Sequence, residues 1–246
     1  MSHIRASYRP QYRDTFDPIP EQRPHSALRQ TFLKTGIISE ATGSAYIELQ
    51  SVNGGSTKVI CSCYGPRQTK KSMAFSENGI LWCDYKYATF ADQGARPRRA
   101  GQSERERFLS RSIEKALHEA VRLDTFPKAV LEIYILVLEN DGGDFEAALT
   151  CASAAIADAG VEMFDLVTAV FAGLTPDGRT ILDPRSCDVP KMKATVSLGF
   201  MQSRQNVTHF NMGGHASDLQ MKDMVELCLD GCSQFSDVIR NALTLN

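Results

Sequence analysis

The stretch that most constrains the fold is residues 128–160, KAVLEIYILVLENDGGDFEAALTCASAAIADAG. Its first part is almost continuously apolar and rich in branched residues, yet far shorter than the roughly 20 residues that span a bilayer. That pattern predicts a central strand covered on both faces. The last part is helical and built from Ala, Ser and Thr, so neighbouring elements can approach closely and bury it on most sides; Gly160 stands where a left-handed C-terminal cap belongs. Between them lie Gly142 and Gly143. Two glycines leading from a strand into a helix form a turn whose backbone N–H groups can cradle phosphate. The next residues are Asp144, an anion, and Phe145, an apolar ring.

The flanking sequence supplies two further groups of strands. GSAYIELQ alternates Ala45, Ile47 and Leu49 with Tyr46, Glu48 and Gln50, the signature of a half-buried strand. STKVICSCYG and GILWCDYKYATF read as further strands, and consecutive strands of this kind predict an antiparallel sheet. Ser103 and Glu106 form a capping box for a helix that carries Leu109, Ile113, Leu117, Ala120 and Val121 on one face and ends near Leu123. Beyond the small-residue helix, DLVTAVFAGL, RTILD, ATVSLGFMQS and NVTHFNM give a second strand group, with TPDGRTILDP as a hairpin turning at Asp177-Gly178. Ser217 with Gln220 opens a last helix, whose apolar face runs from Met224 through Cys228, Gly231 and Phe235 to Ile239. Segregated antiparallel strands with interposed helices predict an α+β fold. Residues 1–24, with four prolines and many charges, predict a flexible tail ahead of one domain over 25–246.

Bulk chemistry narrows the function classes. A net charge of −2 over 246 residues means that any nucleic-acid contact must come from a local basic patch. Two such patches exist: Arg67, Lys70 and Lys71 in GPRQTKKS, and Arg96, Arg98 and Arg99 in the following Gly/Pro-containing loop. The seven cysteines lack zinc or CxxC spacing and predict reduced, buried thiols in a nuclear or cytosolic protein. The five histidines are scattered, and no nucleophile elbow, P-loop or dinucleotide fingerprint occurs. Nothing in these patterns calls for a metal or cofactor.

The runs GSAYIE, TKVICSCYGPRQ, SERERFLSRSIEKALHEAV, VLENDGG, ADAGVEMFDLV and GLTPDGRTILDP closely resemble the RNase PH family over about residues 33–246. The resemblance implies an RNase PH-like fold of the ribosomal protein S5 domain 2-like class, with repeated βαβα-type layers. Active members cleave RNA from the 3′ end with phosphate as nucleophile, held by a Gly-Thr/Ser-Arg cradle and assisted by two aspartates. Here the cradle reads Gly143-Asp144-Phe145, and the aspartate positions fall on Val189 and Thr195, with Asp188 one residue away. Arg105 matches a further phosphate-holding arginine, whereas the GR-x-D-x-R opening of active members is replaced by RPHSALRQTF.

A fixed carboxylate ~4 Å from a phosphate costs about 4 kcal/mol at an effective dielectric of 20. Gly142, Gly143, Asp144, Phe145 and Arg105 are therefore expected to form a degenerate phosphate site without catalysis. The implied role is a non-catalytic subunit of the six-membered eukaryotic RNA exosome core ring, in the nucleus, nucleolus and cytoplasm. Its partners would be other RNase PH-like subunits, S1/KH cap proteins, an associated hydrolytic nuclease and RNA in the central channel. The alternatives are an active phosphate-dependent exoribonuclease using Asp188 and Arg105, and a free-standing RNA-binding module.

Overall fold

The computed structural model describes residues 24–50, 55–68, 78–91 and 101–244. Two sheets hold nine strands among the described residues. The first contains β1 (Gln30–Thr35), β2 (Gly43–Gln50), β3 (Ser56–Gln68), β4 (Ile80–Tyr87) and β5 (Ala129–Glu139), in the order β1-β2-β3-β5-β4. The second contains β6 (Val167–Leu174), β7 (Thr180–Leu182), β8 (Ala194–Met201) and β9 (Asn206–Gly214), in the order β7-β6-β8-β9. Three α-helices complete the domain: α1 (Glu104–His118), α2 (Asp144–Asp158) and α3 (Asp218–Thr244). This is the α+β arrangement expected from the sequence, with the strands segregated around the helices.

Period-two burial builds the first sheet. Ala45, Ile47 and Leu49 of β2, Val59, Cys61 and Cys63 of β3, and Leu131, Ile133, Ile135 and Val137 of β5 all turn inward. Each such aliphatic side chain contributes roughly 1.5–3 kcal/mol on burial. The expectation that β5 is covered on both faces is wrong: Tyr134 and Leu136 are 37% and 38% exposed on its outer face. The expectation of an antiparallel sheet also needs correction, because β4 runs parallel to β5. The crossover between them carries α1, as a parallel pair requires.

The helices close the open strand edges. Along β4, the Tyr85 N–H donates to Ser110 Oγ (2.9 Å) and the Tyr87 N–H to Glu106 Oε1 (3.1 Å), so side chains of α1 stand in for a missing strand. Beyond the end of β7, the N–H groups of Val167 and Ala169 on β6 donate to Ser153 Oγ and Thr150 Oγ1 of α2. The hydroxyls of the small-residue helix thus satisfy backbone donors that burial would otherwise orphan. Residues 145–156 of α2 are all buried. Its close packing is visible at Gly43, where a Cβ would lie 2.3 Å from Ala159 N and 2.4 Å from Ala155 O.

The Ser103–Glu106 box and the Ser217–Gln220 pair both form, and Gly160 takes its left-handed φ of 70°. Helix α1 stops at His118 rather than near Leu123, because Val121 bridges to Met163 and the Arg122 N–H pairs with Glu162 O. All seven cysteines are free thiols; six are buried as expected, but Cys187 is exposed in the loop after β7. The tail expected over residues 1–24 lies, apart from Pro24, outside the described residues.

Candidate functional site

The turn between β5 and α2 is held from beneath by two arginines. Gly142 and Gly143 adopt φ of 94° and 65°, conformations that favour glycine. A Cβ on Gly142 would lie 2.7 Å from Ser186 N and 2.9 Å from Pro184 O. The Gly142 carbonyl accepts from Arg29 Nη2 (2.8 Å) and Thr57 Oγ1 (2.7 Å). Arg29 Nε and Nη2 also donate to the two oxygens of Asp183, at 2.7 and 2.6 Å. Burial alone would lower the pKa of Arg29; the carboxylates of Asp183, Asp141 and Glu146 together outweigh it, and the pKa is raised. Arg185 Nε donates to Asp141 Oδ2 at 2.9 Å. The two guanidiniums beneath the turn are therefore paired with the protein's own carboxylates.

Above the turn lies a cavity of about 440 Å³. Arg105 and Phe108 of α1 form one wall, and residues 142–146 form another. The floor is one cross-strand row of the second sheet: Phe171 on β6 stands opposite Ser197 on β8, which stands opposite Asn211 on β9. Residues directly opposite in a sheet share a face, which is why these three meet.

The first turn of α2 supplies carboxylates where a phosphate cradle needs donors. Asp144 Oδ2 accepts from Tyr85 Oη at 3.1 Å and also from Tyr87 Oη. Burial, then this carboxylate, pushes both phenols above their ordinary pKa. Phe145 is buried with its ring centroid 4.6 Å from that of His209, whose pKa burial lowers. Glu146 is buried as well, and burial pushes its carboxyl up to about 7. A helix N-terminus favours nearby anions. Here Asp144 and Glu146 occupy that field themselves, and Phe145 offers no hydrogen-bond donor.

The residues read from the sequence as a degenerate phosphate site converge: Gly142, Gly143, Asp144, Phe145 and Arg105 all line this cavity. Arg105 is exposed, its guanidinium 5.9 Å from the centroid of the Tyr87 ring. Of the two positions on which the resemblance puts the aspartates, Val189 lines the cavity and Thr195 does not. Asp188 is also absent from the lining; it is buried, with Lys191 Nζ 3.9 Å from its Oδ1. Arg67 is exposed at the end of β3, 5.0 Å from the Tyr64 ring centroid and outside the cavity lining. Lys70, Lys71, Arg96, Arg98 and Arg99 lie outside the described residues.

Sequence reasoning missed Arg29, Glu146, Ser197 and His209. Only Glu146 left a signal, as an acid in the first turn of a helix otherwise read as buried.

Residues 27–162 match the model of the 3′ exoribonuclease family, domain 1. The chain belongs to the RNase PH family. It is 34% identical to the exosome complex component RRP41-like of Arabidopsis thaliana, over 91% of this chain and 83% of that protein. It is 34% identical to the exosome complex component MTR3 of Homo sapiens, over 91% of this chain and 85% of that protein. Rice Rrp46 superposes with a TM-score of 0.77 at 21% identity, covering 90% of this chain and 98% of that one. A chain of the Archaeoglobus fulgidus exosome with RNA bound to the active site gives 0.73 at 16% identity, covering 87% and 90%. At these identities the two solved structures speak for the fold alone.

Proposed function

We propose that the chain is a non-catalytic RNase PH-like subunit of the eukaryotic RNA exosome core ring, of the mRNA transport regulator three type. The observation that carries this reading is the first turn of α2. Asp144 is fixed by two phenols, Phe145 is packed against His209, and Val189, on which the resemblance puts an assisting aspartate, lines the cavity. Loss of even one charge-stabilising donor lowers a rate by about 10²–10³, and this site departs from the phosphorolytic pattern at several positions together. The names of relatives on both sides, RRP41-like and MTR3, support a place in an exosome ring.

In that role the chain would pair with other RNase PH-like subunits in a hexamer and carry S1/KH cap proteins. It would help thread RNA toward an associated hydrolytic nuclease, in nucleus, nucleolus and cytoplasm. Arg67, Lys70 and Lys71, with Arg96, Arg98 and Arg99, are the residues assigned to RNA.

Incubation of the purified chain with RNA and phosphate, alone and with ring partners, is expected to release no nucleoside diphosphate. Phosphate-dependent release abolished by Asp188→Ala would overturn the reading in favour of an active exoribonuclease. Co-purification with mass measurement separates a ring subunit, which needs partners for RNA binding, from a monomeric RNA-binding module.

A further inference from the structure

The outer face of the first sheet, opposite the face packed on α2, carries an open aromatic cluster. Tyr64 on β3 stands directly opposite Glu132 on β5, and Glu132 stands opposite Trp82 on β4. Cross-strand neighbours share a face, so this carboxylate is flanked by an aromatic ring on each side. Tyr134, two residues along β5, meets both rings edge to face, with centroids 5.7 Å from Tyr64 and 5.3 Å from Trp82. Trp82 and Tyr134 are 42% and 37% exposed. Tyrosine and tryptophan held against one another and open to solvent make the composition of a protein-interface hot spot.

Charge on this face selects the kind of partner. The lysines there are taken: Lys58 pairs with Glu139 at 2.9 Å, and Lys86 with Asp84. Glu132 has no ion-pair partner among the described residues. Burial first, and then the nearby Glu132 carboxylate, hold the Tyr134 phenol above its ordinary pKa. A carboxylate among three aromatic rings attracts a cation twice over, through its charge and through the ring faces. Arg67 shows which cation: its guanidinium lies 5.0 Å from the Tyr64 centroid, yet it makes no ion pair with Glu132. Glu132 and Asp84 repel phosphate, which tells against single-stranded RNA on this face.

We propose that this face docks another protein chain, and that the occupant presents an arginine that stacks on Trp82 and donates to Glu132. A guanidinium is planar, so it lies on a ring and still offers paired N–H donors to a carboxylate at its edge; an ammonium does not do both. The surface lies on the opposite side of the first sheet from α2 and owes nothing to the cradle, so assays of phosphorolysis and tests of this face fail separately.

The chain holds a single tryptophan, so its intrinsic fluorescence reports on Trp82 itself. The test is titration of the full chain with a blocked Gly-Ser-Arg-Ser-Gly peptide, its lysine and citrulline counterparts, and single-stranded oligoadenylate. The arginine peptide is expected to give a saturable change with a Kd near ~1 mM, as one charge-assisted pair and one stacked cation together supply. The lysine peptide is expected to bind at least ~3-fold more weakly, and the citrulline peptide not to saturate. Glu132→Gln is expected to weaken the arginine peptide about tenfold while leaving the circular dichroism unchanged. If that variant does not fold, the arginine-to-citrulline comparison on the unmodified chain decides the question. No saturation by the arginine peptide, an equal response to citrulline, or unchanged affinity in Glu132→Gln overturns the proposal. Tighter binding of oligoadenylate at Trp82 overturns it in favour of an RNA surface.

Discussion

Breaking the Arg29–Asp183 pair tests the claim that the cradle turn is held from below. Asp183→Asn keeps the shape but removes the charge opposite a guanidinium whose side chain is 1% exposed. At the 2.6 Å separation, two unit charges attract by about 6 kcal/mol at an effective dielectric of 20. Part of that attraction offsets the cost of burying both groups, so removing one partner is expected to destabilise by about 3–5 kcal/mol. In a domain of this size each kcal/mol moves the melting temperature by roughly 2–4 °C, so a fall of about 6–20 °C is expected by calorimetry. The control is Arg29→Met with Asp183→Leu, which removes both charges and is expected to be less damaging than Asp183→Asn alone. The double variant also takes Arg29 away as a donor to the Asp141 and Gly142 carbonyls, so a smaller loss than in Asp183→Asn isolates the cost of an unpaired buried charge. A single substitution costing under about 1 kcal/mol, or a double variant worse than the single by several kcal/mol, would refute the buried-pair account.

Three further outcomes follow from the same geometry. Gly43→Ala puts a Cβ within 2.4 Å of Ala155 O and is expected to cost about 1–3 kcal/mol by urea denaturation, since backbone on both sides must shift. Tyr87→Phe removes one of the two phenol donors to Asp144 and is expected to cost about 1–3 kcal/mol, with no change in secondary structure by circular dichroism. Glu146 has a folded pKa raised from 4.5 to about 7, so the folded state holds its proton more tightly than the unfolded chain. Its contribution to stability is therefore greatest below pH 4.5, declines as pH rises through 7, and amounts to a loss on the order of 3 kcal/mol above that. Glu146→Gln is expected to flatten this part of the stability–pH curve, measured by denaturation at pH 5 and pH 8.

What the sequence disclosed depended on range. Period-two burial in β2 and the caps Ser103–Glu106 and Ser217–Gln220 are local patterns, and they form as read. The convergence of Gly142–Phe145 with Arg105 was legible only through family resemblance, because no spacing links α1 to the turn after β5. The misreading of β5 has a simple cause. Tyr134 and Leu136 are apolar in type although their face is open, so composition imitated burial on both sides. Parallel pairing with β4 was invisible because side-chain period reports which face is buried, not which neighbour is bonded. The tyrosines holding Asp144 lie 57 and 59 residues away, and Arg29 lies 154 residues from Asp183. Partners so distant carry no pairwise signal in a single chain.

These long-range contacts change what the two glycines signify. Gly142 needs its positive φ, and a side chain there would strike Ser186 N and Pro184 O. Gly143 opens α2 at φ 65°, where a Cβ would lie 3.0 Å from Arg29 Nη2 and 3.1 Å from Asp183 Oδ1. Packing against the 183–186 segment and the buried arginine is therefore sufficient cause for both glycines, with or without a phosphate above them. A strand–Gly-Gly–helix turn in this fold reports on the clamp beneath the turn. The information about chemistry lies in the next residues, whose side chains face the cavity. There, Asp144 joins α2 to β4 through two phenols and Glu146 is buried beside it. The same helix start that would receive an anion is thus furnished with acceptors of its own.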